Sequence, residues 1–423
     1  MRDFDSLQHL IAEYTSSGKN PFYRDLYDVP DSEHSLHIKD WSAWRSLPFL
    51  TKDALARVPL KQRLFSDVSN VDHIRSSGGT SGKPPVFSPR MNTTDMDHRA
   101  LYHSFEGGCL ALTPVGSPLW HEQWQASLGH TPRVVVFDPR NIRASLIFAR
   151  AARVTFISLF IHHVMLLAEP MRQDGIANLI RCIELNGESC SKATFMYLRE
   201  VFPNATFIST YGLSEMSLPV FPCRPIRDEV PRDVYHSNDI SFLELIDFSG
   251  RHLEPTPGTE GELVVTICNR GQSVFPVFRY RTGDIVRVVG EPCEHRTWGF
   301  TVLGRKDADF IRIPGGMLRL DETRRVLGTL KMHVTDRFEL HCSERATADG
   351  LKIETLLHID SIKGVKINLA HIADMISQSL RVGPTMTYAD GVARGLYFPL
   401  VCEKFEGVRD PLRKTQCLFF HSA

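Results

Sequence analysis

Short, largely apolar runs alternate with helix-spaced segments through the first three hundred residues. RVVVF (133–137), VTFISL (154–159), LIRCIEL (179–185) and ATFIST (205–210) are rich in aliphatic and aromatic residues, which predicts buried strands. SKATFMYLREVF spaces Phe195, Leu198 and Phe202 at three and four residues and so predicts a helix, with Ser191 as its N-cap. Alternation of this kind predicts an α/β sheet whose ligand sites lie in loops at the strand ends. SFLELID, GELVVTI and IVRVV follow with strand composition and little helix between them, which predicts a β-rich portion of the same domain. After Gly304 the pattern changes. RLDETRRVLGTL reads as a helix, and FELHCSE and LKIETLLHI read as a hairpin turned at Asp349-Gly350. INLAHIADMISQSL puts Leu369, Ile372, Ile376 and Leu380 on one face. The fold class is therefore α/β: a large N-terminal domain with a β-rich portion, residues 1–304, and a small α+β domain, residues 305–423.

Length agrees with that division, since 423 residues exceed one ordinary core at about 150 residues per domain. Charge excludes some partners. Lys plus Arg and Asp plus Glu both number 49, so no global field draws in nucleic acid or an anionic membrane. Nine cysteines lie scattered without a framework of spacings, which suits a reducing compartment. MRDFDSLQHL has acidic residues and no apolar core, unlike a secretory leader. The most apolar run, FISLFIHHVMLLA (156–168), falls short of the ~20 residues that span a bilayer and is interrupted by His162 and His163, which are expected to pack rather than ligate. The expectation is a cytoplasmic protein without membrane or nucleic-acid partners; a homodimer is allowed.

Residues 76–84 read SSGGTSGKP. Glycines let backbone approach a ligand closely, and hydroxyls with exposed N–H groups donate to phosphate oxygens, so the stretch has the makings of a phosphate cradle. It is not a P-loop. Ser77 stands where the first P-loop glycine belongs, and Pro84 stands where the Mg²⁺-binding Ser or Thr belongs. Taken alone, a flexible Gly/Ser linker explains the same letters. YGLSEM (211–216) follows a predicted strand and offers a stacking ring, a close backbone approach and an acidic metal ligand in one loop, although Tyr211 in a core and Glu215 in solvent would read identically. In FRYRTGDIV (278–286), Asp284 follows a Thr-Gly turn, where it could accept from two ribose hydroxyls or simply cap the turn. VLGRKDADFIRIPGG (302–316) sets Arg305 and Asp307 at the expected domain boundary, a usual place for a hinge.

Together and in this order, these segments resemble the adenylate-forming enzyme superfamily, most closely its phenylacetate-CoA ligase-like branch. The resemblance spans nearly the whole chain: NPFYRDLYDVP (20–30), LPFLTKDAL (47–55), SSGGTSGKP, NGE (186–188), YGLSE, GELVVT (261–266), YRTGD and GRKDA. It implies the adenylate-forming ligase fold, with a mobile small domain, and a two-step reaction. A carboxylate attacks the α-phosphate of ATP to give an acyl-adenylate and pyrophosphate, and a nucleophile, usually the thiol of coenzyme A, then displaces AMP.

By the same resemblance, Ser77, Gly78, Gly79, Thr80, Ser81, Gly82 and Lys83 hold the phosphates, and Glu215 coordinates Mg²⁺. Tyr211 stacks on adenine beside Gly212, Gly187 and Glu188 edge the purine pocket, and Asp284 with Arg305 holds the ribose. Asp307 is the hinge. Lys414, in PLRKTQCLFF, takes the place of the family's catalytic lysine, though it lacks the preceding glycine and a surface lysine is the alternative. Asn186 stands where a smaller residue is usual, and Ala308 replaces an acid. Some members of the branch carry a structural Zn²⁺, which here would take Cys223, His236, Cys293 and His295; buried thiols and ordinary histidines explain the same letters. Trp120, Trp124 and Met216 fall where the acyl pocket is lined. The branch implies an aromatic or other compact carboxylic acid as substrate, with CoA, an amine or a carrier-protein thiol as acceptor.

Overall fold

The computed structural model describes residues 4–18, 20–65, 73–76, 87–90, 108–111, 133–138, 141–186, 190, 192–213, 215, 220–223, 234–237, 241–267, 275–290, 297–306, 309–313, 316–347, 350–362, 364–383, 386–405 and 417–421. Ser191, the expected cap, lies outside them. The chain divides into two compact units, Met1–Val302 and Leu303–Ala423.

The described residues of the first unit form three sheets. β1 (His73–Ser76) pairs antiparallel with β2 (Phe87–Arg90). β3 (Gly108–Ala111), β4 (Arg133–Val136), β5 (Val154–Phe160), β6 (Cys182–Asn186) and β7 (Thr206–Thr210) form a parallel sheet in the order β4-β3-β5-β6-β7. The apolar runs are strands because helices cover them: Leu167, Met171, Phe195 and Leu198, from helices Ile161–Gln173 and Lys192–Val201, pack in one core with Ile157, Ile183 and Phe207. Burial on both faces is what a continuous apolar strand needs. LIRCIEL is strand only from Cys182, since Ala177–Leu179 is a 3₁₀ turn. His163 is fully buried edge-on to Phe137.

The third sheet is the β-rich portion. It contains β8 (Val220–Pro222), β9 (Tyr235–Ser237), β10 (Ser241–Ile246), β11 (His252–Leu253), β12 (Glu260–Ile267), β13 (Val277–Val289) and β14 (Gly299–Arg305), in the order β11-β10-β12-β13-β14-β9-β8. The N-terminal signatures brace β13. Tyr23 donates its hydroxyl to the Pro276 carbonyl at 2.7 Å and accepts from the Phe278 amide at 3.1 Å. Leu50 bonds both ways, its amide to Arg279 O at 3.0 Å and its carbonyl to the Arg281 amide at 2.9 Å.

The second unit is α+β. β15 (Phe310–Ile313) and β16 (Gly316–Arg319) make a hairpin, and β19 (Arg381–Gly383) pairs with β20 (Met386–Thr387). β17 (Val334–Thr347), β18 (Gly350–Ser361), β21 (Val401–Lys404) and β22 (Leu418–His421) form a four-stranded sheet in the order β21-β18-β17-β22. Thr347 pairs with Gly350, so the hairpin turns one residue earlier than the sequence suggested. Leu340, Cys342, Leu357 and Ile359 bury one face of this sheet in the same core as Ile372 and Ile376 of helix Leu369–Ser379. Asn368 caps that helix, accepting from the amides of Ala370 and His371. Among the described residues no helix is long and apolar enough to cross a membrane.

Candidate functional site

Two structural devices bring polar side chains to one place in the first unit. The first is the end of the parallel sheet. β7 buries Phe207 and Ile208 and then stops, so Tyr211, Gly212 and Glu215 follow in the loop beyond its carboxyl end. Glu215 is only 6 % exposed.

The second device is a bulge inside β13. Glu262 pairs with Ile285 and Val264 with Arg281, so three residues, Thr282 to Asp284, stand opposite one on β12. Gly283 permits this by adopting φ 73°, a left-handed conformation that side chains disfavour. Thr282 fixes the loop, donating its hydroxyl to Leu263 O at 2.8 Å and accepting from the Asp284 amide at 3.0 Å. The bulge turns Asp284, 5 % exposed, towards Tyr211, whose hydroxyl donates to its Oδ2 at 2.5 Å.

An upstream bulge secures the same strand. The register shifts again between Val265 and Ile267, where Arg279 has φ 47°. The buried guanidinium meets Glu244 at 3.3 Å, donates to the carbonyls of Arg45 (2.8 Å) and Leu47, and lies over the Phe49 ring at 4.3 Å. The strand bearing Asp284 is thus fixed to residues more than two hundred positions away.

Around Tyr211 stand residues that the motifs did not flag. Phe300 meets its ring at 90° and 5.9 Å, Tyr235 lies 5.8 Å away, and Ser209 shares a 2.5 Å hydrogen bond with the Tyr235 hydroxyl. Their only signal in the sequence is ordinary strand alternation. At the start of the second unit, Arg305 donates its amide to Asp309 Oδ2 at 2.6 Å, and Asp309 returns its own amide to Arg305 O at 2.8 Å. A Cβ on Gly304 would lie 2.8 Å from that of Asp309, so glycine is required there. Asp309, overlooked in the sequence, is tied back to Arg305 by both of these bonds.

Of the proposed zinc ligands, Cys223 and His236 are described. The Cys223 amide donates to Val234 O at 2.8 Å, and Phe221 pairs with His236. That register sets Cys223 and His236 diagonally on one face of the β8–β9 ladder. His236 is buried, and its Nδ1–H donates to Thr297 O at 3.0 Å, leaving Nε2 with the lone pair that a metal requires. Ser77, Gly78, Gly79, Thr80, Ser81, Gly82, Lys83, Trp120, Trp124, Gly187, Glu188, Met216, Cys293, His295, Asp307 and Lys414 lie outside the described residues.

No protein-family model matches the chain, and no curated protein matches it. Solved structures do. An open conformation of 2-hydroxyisobutyryl-CoA ligase, in complex with 2-HIB-AMP and CoA, superposes with a TM-score of 0.60 at 17 % identity over 89 % of each chain. The acyl acid amido synthetase AtGH3.15, in complex with 2,4-DB, gives 0.65 at 12 % identity over 95 % of this chain and 85 % of its own. ATP-bound MatB from Rhodopseudomonas palustris gives 0.56 at 14 % identity over 84 % and 67 %. The chain shares its fold with these enzymes.

Proposed function

We propose that the protein uses ATP to activate a compact carboxylic acid, aromatic in the first instance, as an acyl-adenylate, and then passes the acyl group to coenzyme A. One observation carries the reading: in a chain with this fold, Tyr211 and the buried carboxylate of Asp284 are hydrogen-bonded beside the end of the parallel sheet. In the first step a substrate carboxylate oxygen attacks the α-phosphorus, the bond to the β-phosphate breaks, and pyrophosphate leaves. In the second, the thiol sulfur attacks the acyl carbonyl and AMP leaves.

Both reactants of the first step are anions, so the residues must hold them together against repulsion. An ionised Asp284 has only acceptors and suits two vicinal ribose hydroxyls, with Arg305 beside them in this reading. The Tyr211 hydroxyl fixes that carboxylate while its ring offers a face to adenine. Gly187 and Glu188 edge the purine, and Ser77 to Lys83 receive the phosphates. Lys414 bridges the substrate carboxylate and ATP. Asp307 keeps its role as hinge between the large domain and a mobile small one. Glu215 would hold Mg²⁺, which supplies charge screening at the phosphates. Cys223 and His236, with Cys293 and His295, would hold a structural Zn²⁺; the tautomer fixed on His236 fits that role.

A second reading keeps the adenylation and gives the acyl group to an amine. It is favoured by the TM-score of 0.65 to the amido synthetase, which exceeds the 0.60 to the CoA ligase. Exchange of labelled pyrophosphate into ATP, run across a panel of carboxylic acids, tests the shared half, and at least one acid drives exchange. A folded protein that exchanges with none sinks both readings. Mass spectrometry of products formed with CoA or amines then separates them. Lys414→Ala abolishes exchange yet leaves transfer from a preformed acyl-adenylate; equal loss of both removes the role assigned to that lysine.

A further inference from the structure

The sheet of the second unit has a buried face and a face that packs into no described core. On the latter, alternation brings forward Glu339, His341 and Ser343 of β17, and the register sets partners across from them. His358 on β18 pairs with Glu339, Glu403 on β21 pairs with His358, and Phe419 and His421 on β22 pair with His341 and Ser343. Three histidines and three glutamates, counting Glu354 across from Ser343, therefore share one face of the four strands. None belongs to the nucleotide site proposed above.

We propose that Glu339, His341 and His358 form a binding site for a divalent transition-metal ion, zinc in the first instance. One ligand atom from each lies within 4.8 Å of the other two. Tetrahedral zinc holds its ligands at about 2.0–2.2 Å, hence about 3.3–3.6 Å from one another, so side-chain rotation alone closes the set. Two imidazoles and one carboxylate suit zinc, nickel or copper rather than calcium or magnesium, which prefer all-oxygen shells. The fourth position is left to water.

The surroundings support His341 as a ligand. Its ring is clamped by parallel stacking on Phe419 (4.6 Å, 8°) and His421 (5.2 Å, 6°). Its Nδ1 lies 2.9 Å from His421 Nε2, and its Nε2 lies 3.4 Å from Glu339 Oε2. In the tautomer that donates Nδ1–H to His421, the lone pair of Nε2 faces the carboxylate oxygen, and a metal ion between them would satisfy both. A donated second nitrogen and a supporting partner are the usual outer shell of a ligating histidine. Glu403, 3.6 Å from His358 Nε2, stands ready to orient the second imidazole.

The experiment is calorimetric titration of metal-stripped full-length protein with ZnCl₂, alongside Cys223→Ser, His341→Ala, His358→Ala, Glu339→Gln and His421→Ala. Zinc binds at one equivalent to this site in the parent protein and in Cys223→Ser, and it raises the melting temperature of both. His341→Ala and His358→Ala lose that equivalent, and Glu339→Gln, which preserves shape, weakens it. His421→Ala weakens it about tenfold by removing a supporting partner. Melting in excess chelator shows that the variants remain folded, and Co²⁺ substituted at the site in Cys223→Ser gives d–d bands without thiolate charge transfer. Zinc stoichiometry and affinity unchanged in both histidine-to-alanine variants, or loss of all binding in Cys223→Ser, overturns the proposal.

Discussion

Tyr211 and Asp284 reach the same hydrogen bond by opposite routes. Tyr211 sits where β7 has run out, so its position follows from topology: any residue just past the carboxyl end of a parallel strand is released from the ladder. Asp284 lies in the middle of a thirteen-residue strand and reaches the site only because β13 carries a bulge there. The first arrangement is supported by its immediate neighbours, Tyr235 and Phe300. The second departs from regular pairing and is held by Gly283, by Thr282 and, one bulge upstream, by Arg279 clamped to the N-terminal segment. A polar residue drawn from mid-strand depends on distant packing, whereas one at a strand end depends on its neighbours.

The largest expected effect is at the clamp. Arg279→Ala leaves Glu244, itself buried, without its partner and costs about 3–5 kcal/mol in urea unfolding. Replacing both residues with methionine recovers much of that loss; no recovery would mean that the hydrogen bonds to Arg45 and Leu47, rather than the charge pair, dominate. Next comes Tyr211→Phe, which removes a hydrogen bond to a carboxylate worth about 1.5–3 kcal/mol. Because Tyr211 is at a strand end, its loss is expected to weaken ATP binding, measured calorimetrically, while the circular dichroism spectrum stays that of the parent. Gly283→Ala places a side chain in the left-handed region at a cost of about 1–2 kcal/mol and should weaken ATP binding too, by turning Asp284 away. If Gly283→Ala bound ATP like the parent, the bulge would not position the acid. The smallest effect is that of Arg287→Ala, further along β13, where the pair with Glu260 is 46 % and 36 % exposed and contributes about 0.2–1 kcal/mol.

Legibility in the sequence followed the same divide. The parallel strands were readable because burial on both faces leaves continuous apolar runs, and YGLSEM was readable because it sits directly after one of them. The bulges were not. Arg-Thr-Gly-Asp has the letters of a turn, yet β13 continues from Val277 to Val289 on both sides of it. No local pattern in NPFYRDLYDVP or LPFLTKDAL announces that Tyr23 and Leu50 will bond to residues 276–281, because that contact is a matter of tertiary packing. In the second unit, placing the turn one residue late keeps every side chain on its correct face but shifts the partner by two. Under that register His341, rather than Glu339, would oppose His358, so the carboxylate's place across from His358 was fixed only by the pairing of Thr347 with Gly350. Asp309 was missed for a simpler reason: the acid two residues before it carried the family resemblance.

The clamp between Arg45 and Arg279 joins positions 234 residues apart. At about 5–20 residues per second, a ribosome needs on the order of 10–50 seconds to deliver the second after the first. Throughout that interval Trp44 and Leu50, both fully buried in the finished protein, wait as nascent chain without their mates. The opening fifty residues are therefore the stretch on which a holding chaperone would have most to do during synthesis.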